Sequence, residues 1–130
     1  MTIPLACIAA AFALIYAPRI AVVVAQAKQA EGFDNKHPRD QQAKLTGWGR
    51  RANAAHLNAF ESFAPFAAAV LVAHVTHADP AWSTRLAVTH VVARAVYPLL
   101  YVANIDQARS GVWFAGVLST LGLFVLPWLN

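Results

Sequence analysis

The sequence predicts an all-α integral membrane protein, a four-helix bundle, and three observations predict it. Hydrophobic residues make up 58% of the chain and charged ones only 12%, about half the charged share of a soluble domain. Four apolar stretches, residues 3–27, 53–76, 81–103 and 111–129, each come close to the roughly 20 residues that cross a bilayer. They use most of the 130 residues, so the chain reads as a single domain with little left for a soluble unit.

The first stretch lacks the basic n-region of a signal peptide and outruns a typical h-region, so it reads as a retained span. Its Cys7 has no second cysteine to pair with and says nothing about compartment. Arg19, after Pro18, is placed too deep for comfort unless it snorkels toward the polar segment that follows or pairs between subunits. That segment, 28–51, sets Lys28, Lys36, Arg39, Lys44, Arg50 and Arg51 against Glu31, Asp34 and Asp40, and no regular structure is read in it. With four spans, the 104–110 loop and its Arg109 fall on the same side. Positive-inside bias then puts both loops in the cytoplasm and both termini outside. The pI of about 9.7 reflects this membrane orientation rather than a nucleic-acid face, because the basic residues lie between spans. A bacterial inner membrane fits the bare N-terminus.

Asp79 followed by Pro80 is an N-cap with proline at the first helical position. Trp48, Trp82 and Trp128 stand near span ends as interfacial anchors. His74, His77 and Asp79 cluster at the outer end of the second span, but their spacing suits no metal motif and no metal is expected.

Ionisable groups are costly in hydrocarbon, so those inside spans face protein and are functional candidates. Arg51, Asn58 and Glu61 share one face of the second helix. His90, Arg94, Tyr97, Tyr101 and Asn104 advance by four, three, four and three along the third, which is a single helical stripe. Glu61 lies ten residues after Arg51, and Arg94 ten before Asn104, so both sit about 15 Å from the cytoplasmic end at 1.5 Å per residue. A buried Glu61–Arg94 ion pair follows. Pro65 and Pro98 each come four residues after a member of that pair, freeing its carbonyl and predicting a bend or opening there. His56 is next to the polar face and reads as a packing residue. From the residues alone, two readings stay open: a ligand site, or a structural clamp between helices.

The run Arg51-Ala-Asn-Ala-Ala-His56-Leu-Asn58-Ala-Phe-Glu61-Ser-Phe-Ala-Pro65-Phe66, then Ala93-Arg94-Ala-Val-Tyr97-Pro-Leu-Leu-Tyr101 and Arg109-Ser110, resembles the MAPEG family over essentially the whole chain. These are membrane-associated proteins in eicosanoid and glutathione metabolism, including the microsomal glutathione transferases. The resemblance implies a homotrimer of four-helix subunits among membrane lipids, with glutathione between neighbouring subunits near the cytoplasmic side. Asn58 and Glu61 would hold the peptide's amino and amide groups, Arg94 a carboxylate or Glu61, and Tyr101 the ligand, with Arg51 and Tyr97 completing the binding set. Arg109, with Ser110 beside it, would be the catalytic cation that stabilises the thiolate. The implied chemistry is conjugation or peroxide reduction of a lipophilic small molecule entering from the bilayer. Two departures stand out: Ala54 and Leu57 occupy positions where eukaryotic enzymes of the group carry arginine, and Tyr101 to Arg109 is one residue short.

The competing reading is a non-enzymatic membrane protein, lipid-binding or assembly-related, whose Glu61–Arg94 clamp only fixes helix packing. A small transporter is disfavoured, since no inverted repeat with matching broken helices is present.

Overall fold

In the computed structural model, which describes residues 1–129, the chain is helical, with no strand among those residues. Five α-helices run α1 Ile3–Ala27, α2 Pro38–Ala43, α3 Gly47–Val75, α4 Pro80–Val102 and α5 Asp106–Val125, and a 3-10 turn, Leu126–Trp128, follows α5. The expected count of four is thus corrected to five: α1, α3, α4 and α5 take the places of the predicted spans, and α2 lies in the segment read as irregular. Three helices, α1, α3 and α5 with its terminal turn, are long and apolar enough to cross a membrane. α4 has the length, 23 residues, but Arg85, His90 and Arg94 lower its apolarity; the last two are turned inward and buried.

Boundaries have local causes. At the start of α4 the Asp79 carboxylate accepts the Trp82 N–H at 2.8 Å with Pro80 in the first turn, the cap read from sequence. α3 starts at Gly47 rather than residue 53. Thr46 is extended there and Gly47 takes a left-handed φ of 54°, which glycine adopts without a Cβ clash. Arg51 is therefore helical. α5 likewise starts at Asp106 rather than 111: the left-handed Asn104, φ 63°, closes α4, and Asp106 in the first turn complements the helix dipole. The 104–110 loop shrinks to residues 103–105, and Arg109 and Ser110 stand on α5. Both α3 and α4 stay helical through Pro65 and Pro98.

The polar segment folds back on the end of α1. Gln26 donates to Gln41 Oε1 at 3.0 Å and to the Pro38 carbonyl at 3.2 Å, and Gln41 donates to the Gly32 carbonyl at 2.6 Å. With the Gln42 amide oxygen turned toward it, Arg19 donates to Gln42, so its guanidinium reaches the polar segment as snorkelling requires.

α1 lies along α3, and α4 along α5. Close approach needs small residues: a Cβ on Gly49 would meet the Ala25 Cβ at 2.7 Å. The main core interleaves Ala11, Ala69, Ala73 and Ala87 with Phe66, Val70 and Leu123. His56 does pack, its Nδ1 2.8 Å from the Ile15 carbonyl. Large apolar residues such as Phe12, Leu71, Leu99 and Leu118 point outward, the disposition suited to lipid.

Candidate functional site

α3, α4 and α5 border a cavity of about 260 Å³, polar at one end with Asn58, Glu61 and Arg94 and apolar at the other with Val117, Leu121 and Phe124. Its walls follow from helical periodicity: Asn58, Glu61 and Pro65 share a face of α3, His90 and Arg94 are one turn apart on α4, and Gly116 and Thr120 one turn apart on α5.

The expected Glu61–Arg94 ion pair is not formed. Arg94 Nη1 donates to Asn58 Oδ1 at 2.9 Å, and Asn58 Nδ2 donates to Glu61 Oε2 at 3.2 Å. Asn58 stands between the two charges because an amide can serve a cation with its oxygen and an anion with its nitrogen. The one ion pair among the described residues, His37 with Asp34 at 3.6 Å, lies in the polar segment.

Arg94 is only 6% exposed, and its Nε has no hydrogen-bond partner. Its guanidinium lies against Gly116, where a Cβ would stand 2.8 Å from Nη2 and 3.1 Å from Nε. One turn away, His90 stacks flat on Phe66, centroids 3.8 Å apart and planes 1° from parallel. Its Nδ1 lies 3.1 Å from the Gly116 carbonyl and 3.0 Å from the Thr120 hydroxyl. The fork of Arg94 is therefore held by packing and by one neutral partner. A guanidinium so buried, with no carboxylate within ion-pair distance, is under-compensated and favours an incoming anion.

The stripe continues toward the polar segment. The Arg94 cation lies 4.8 Å from the Tyr97 ring centre, Tyr97 meets Tyr101 edge-on at 5.5 Å, and the Arg109 cation lies 4.4 Å from the Tyr101 ring. Tyr97, Tyr101, Arg109, Ser110, Trp113 and Phe114 line a second cavity of about 240 Å³. Trp113 borders both cavities. The two cavities therefore adjoin, with Glu61 lining the first and Arg109 the second.

The chain matches the model of the MAPEG family over residues 3–129. The chain belongs to the MAPEG family. No curated protein and no solved structure matches it. Family and apolar helices together make it an integral membrane protein.

In this MAPEG protein, Asn58, Glu61 and Arg94 meet at the first cavity, and Tyr97, Tyr101, Arg109 and Ser110 at the second. Arg51 joins neither: its Nε donates to the Val102 carbonyl at 3.0 Å, tying α3 to the end of α4. Sequence reasoning missed the α5 wall of Trp113, Gly116 and Thr120. Small residues at positions 116, 119 and 120 were the available signal, since they mark a face on which a helix meets its neighbours closely.

Proposed function

We propose that this MAPEG protein binds glutathione across the two adjoining cavities, from Glu61 to Arg109, and joins its sulfur to lipophilic electrophiles, or uses it to reduce lipid peroxides. The observation that supports this most is Arg94: a buried guanidinium that spends one donor on Asn58 and has others for a carboxylate. Glu61 and Asn58 beside it offer acceptors for an ammonium or amide. Arg109, over Tyr101, favours thiolate over thiol by its charge. In conjugation the thiol proton leaves to solvent, the thiolate forms the C–S bond, and the leaving group departs with its electron pair. In peroxide reduction two glutathiones are oxidised to the disulfide while the hydroperoxide becomes alcohol and water. The apolar end near Leu121 and Phe124 suits the electrophile's lipophilic part.

The same reading places α4 across the bilayer as a fourth span, the 28–51 segment in the cytoplasm and the termini outside, in a bacterial inner membrane. It also makes the protein a homotrimer. Glu61 is exposed in the single chain at the middle of a membrane helix, where a carboxylate facing lipid is costly; a neighbouring subunit would cover it.

The test is turnover in reconstituted vesicles with glutathione and a lipophilic electrophile or hydroperoxide. Arg109→Ala should lower kcat by roughly 10²- to 10³-fold, the usual cost of removing one group that stabilises developing negative charge. Absence of glutathione-dependent turnover in the intact protein overturns the enzymatic reading. The second reading, a structural clamp in a non-enzymatic protein, is favoured by the self-contained Arg94–Asn58–Glu61 chain of hydrogen bonds and by Ala54 and Leu57. It expects Arg94→Ala to lower stability and change no ligand response.

A further inference from the structure

One turn of α4 before Arg94, His90 is 2% exposed and lies flat on Phe66 of α3, which fixes the plane of its ring. We propose that His90 is a positioning residue for Arg94: a proton on its Nδ1 holds the Gly116 carbonyl, fixes α5 against one edge of the guanidinium, and leaves the other end of that group to take the carboxylate of glutathione. The proposal rests on the reading of Arg94 as the carboxylate-binding group.

The neighbours of the ring assign the proton. Nδ1 lies 3.1 Å from the Gly116 carbonyl, which can only accept, and 3.0 Å from the Thr120 hydroxyl, whose own proton goes to the same carbonyl at 3.1 Å. A proton on Nδ1 therefore has an acceptor. Nε2 is buried and has no partner on the protein. In the opposite tautomer Thr120 could turn its proton to Nδ1, but the Nδ1 lone pair would face the carbonyl oxygen and an N–H at Nε2 would be buried without an acceptor, which is costly. A backbone carbonyl facing Nδ1 is the usual device that fixes the Nδ1–H form.

Gly116 is also the residue against which Arg94 rests. A Cβ there would stand 2.8 Å from Nη2, 3.1 Å from Nε and 3.3 Å from Cζ. Cζ is the farthest of the three although it is bonded between the two nitrogens, so Gly116 lies off the Nε–Nη2 edge of the planar guanidinium rather than over its face. That edge is closed, and Nε is buried without a partner. Nη1 donates to Asn58, and the Nη1–Nη2 end remains as the fork that a carboxylate can meet with two hydrogen bonds. His90 and Arg94 are one turn apart on α4, as Gly116 and Thr120 are on α5. The bond from His90 thus sets how α5 approaches Arg94 and which end of the guanidinium stays open.

Titration calorimetry of glutathione into the solubilised protein, at a temperature where each variant is folded, separates the Nδ1 proton from the packing of the ring. His90→Leu keeps apolar bulk and removes the donor; His90→Asn loses the stacking on Phe66 but places an amide N–H where Nδ1 stands. His90→Leu should weaken binding about tenfold, the effect of misplacing one hydrogen bond to a charged group. His90→Asn should bring it back to near the parent value, although both variants melt at lower temperature. If the two variants bind alike, the proposal is overturned. The ¹⁵N spectrum of the parent protein tests the tautomer without any ligand: it should show His90 protonated at Nδ1 and bare at Nε2, and a proton on Nε2 contradicts the proposal whatever the variants do. No binding to the parent at all overturns instead the reading of Arg94, and the proposal with it.

Discussion

Gly116 decides where the Arg94 guanidinium can lie. A Cβ there would stand 2.8 Å from Nη2, and the guanidinium is the far end of a flexible side chain, so Gly116→Ala should displace Arg94 rather than unfold the bundle. The expected result is glutathione affinity reduced about tenfold with a nearly unchanged thermal midpoint, read by titration calorimetry and thermal unfolding. Asn58 is the complementary case. Asn58→Leu leaves Arg94 Nη1 unpaired in a buried setting and should destabilise the protein by about 1–3 kcal/mol, measured by thermal unfolding. Asn58→Asp supplies the missing counter-charge; it should restore stability and compete with the ligand's carboxylate for Arg94. At this scale the sequence revealed the polar stripe of α4 and the face of α3, since 3.6-residue periodicity names the residues on a face. It did not reveal that Asn58 would stand between Glu61 and Arg94, because depth along two helices says nothing of how each is rotated. His90 was visible as a stripe member, while its partners Phe66, Gly116 and Thr120 come from two other helices and leave no local pattern.

Among the elements, the long helices were legible because apolar length is a direct requirement of a bilayer. Their starts were not, because hydropathy reports the part of a helix that lipid covers and α3 and α5 extend beyond it, carrying Arg50, Arg51 and Arg109 with them. The short α2 was missed although Pro38 and Asp40 are ordinary first-turn residues; what stabilises it, the buried Gln26–Gln41 pairing, spans 15 positions of sequence. The same segment makes a pH prediction. Backbone N–H groups of His37 and Lys36, at 3.0 and 2.7 Å from the Asp34 carboxylate, hold its pKa below the usual value, together with the charge of His37. A carboxyl with a depressed folded pKa contributes stability above its unfolded pKa and loses it as pH falls through the folded one. Carbon NMR should therefore find the Asp34 midpoint below the roughly 3.9 of a free aspartate. A midpoint at or above that value would show that these N–H bonds are not made.

Over the whole molecule, the long helices turn Arg94 inward at one site and leave Glu61 exposed at the middle of α3. In the proposed trimer a neighbouring subunit would cover Glu61, and multi-angle light scattering in a mild detergent should give a protein mass of three chains. A stable monomer would remove the reason for placing the ligand between subunits. The central claim is narrower than the oligomer: the buried Arg94 cation, held by Asn58 and seated on Gly116, binds the carboxylate of glutathione. Titration calorimetry of glutathione into the solubilised protein tests it most directly. The account predicts saturable binding at millimolar glutathione or below that disappears in Arg94→Ala. Binding that survives Arg94→Ala, or no binding to the folded parent protein, contradicts it.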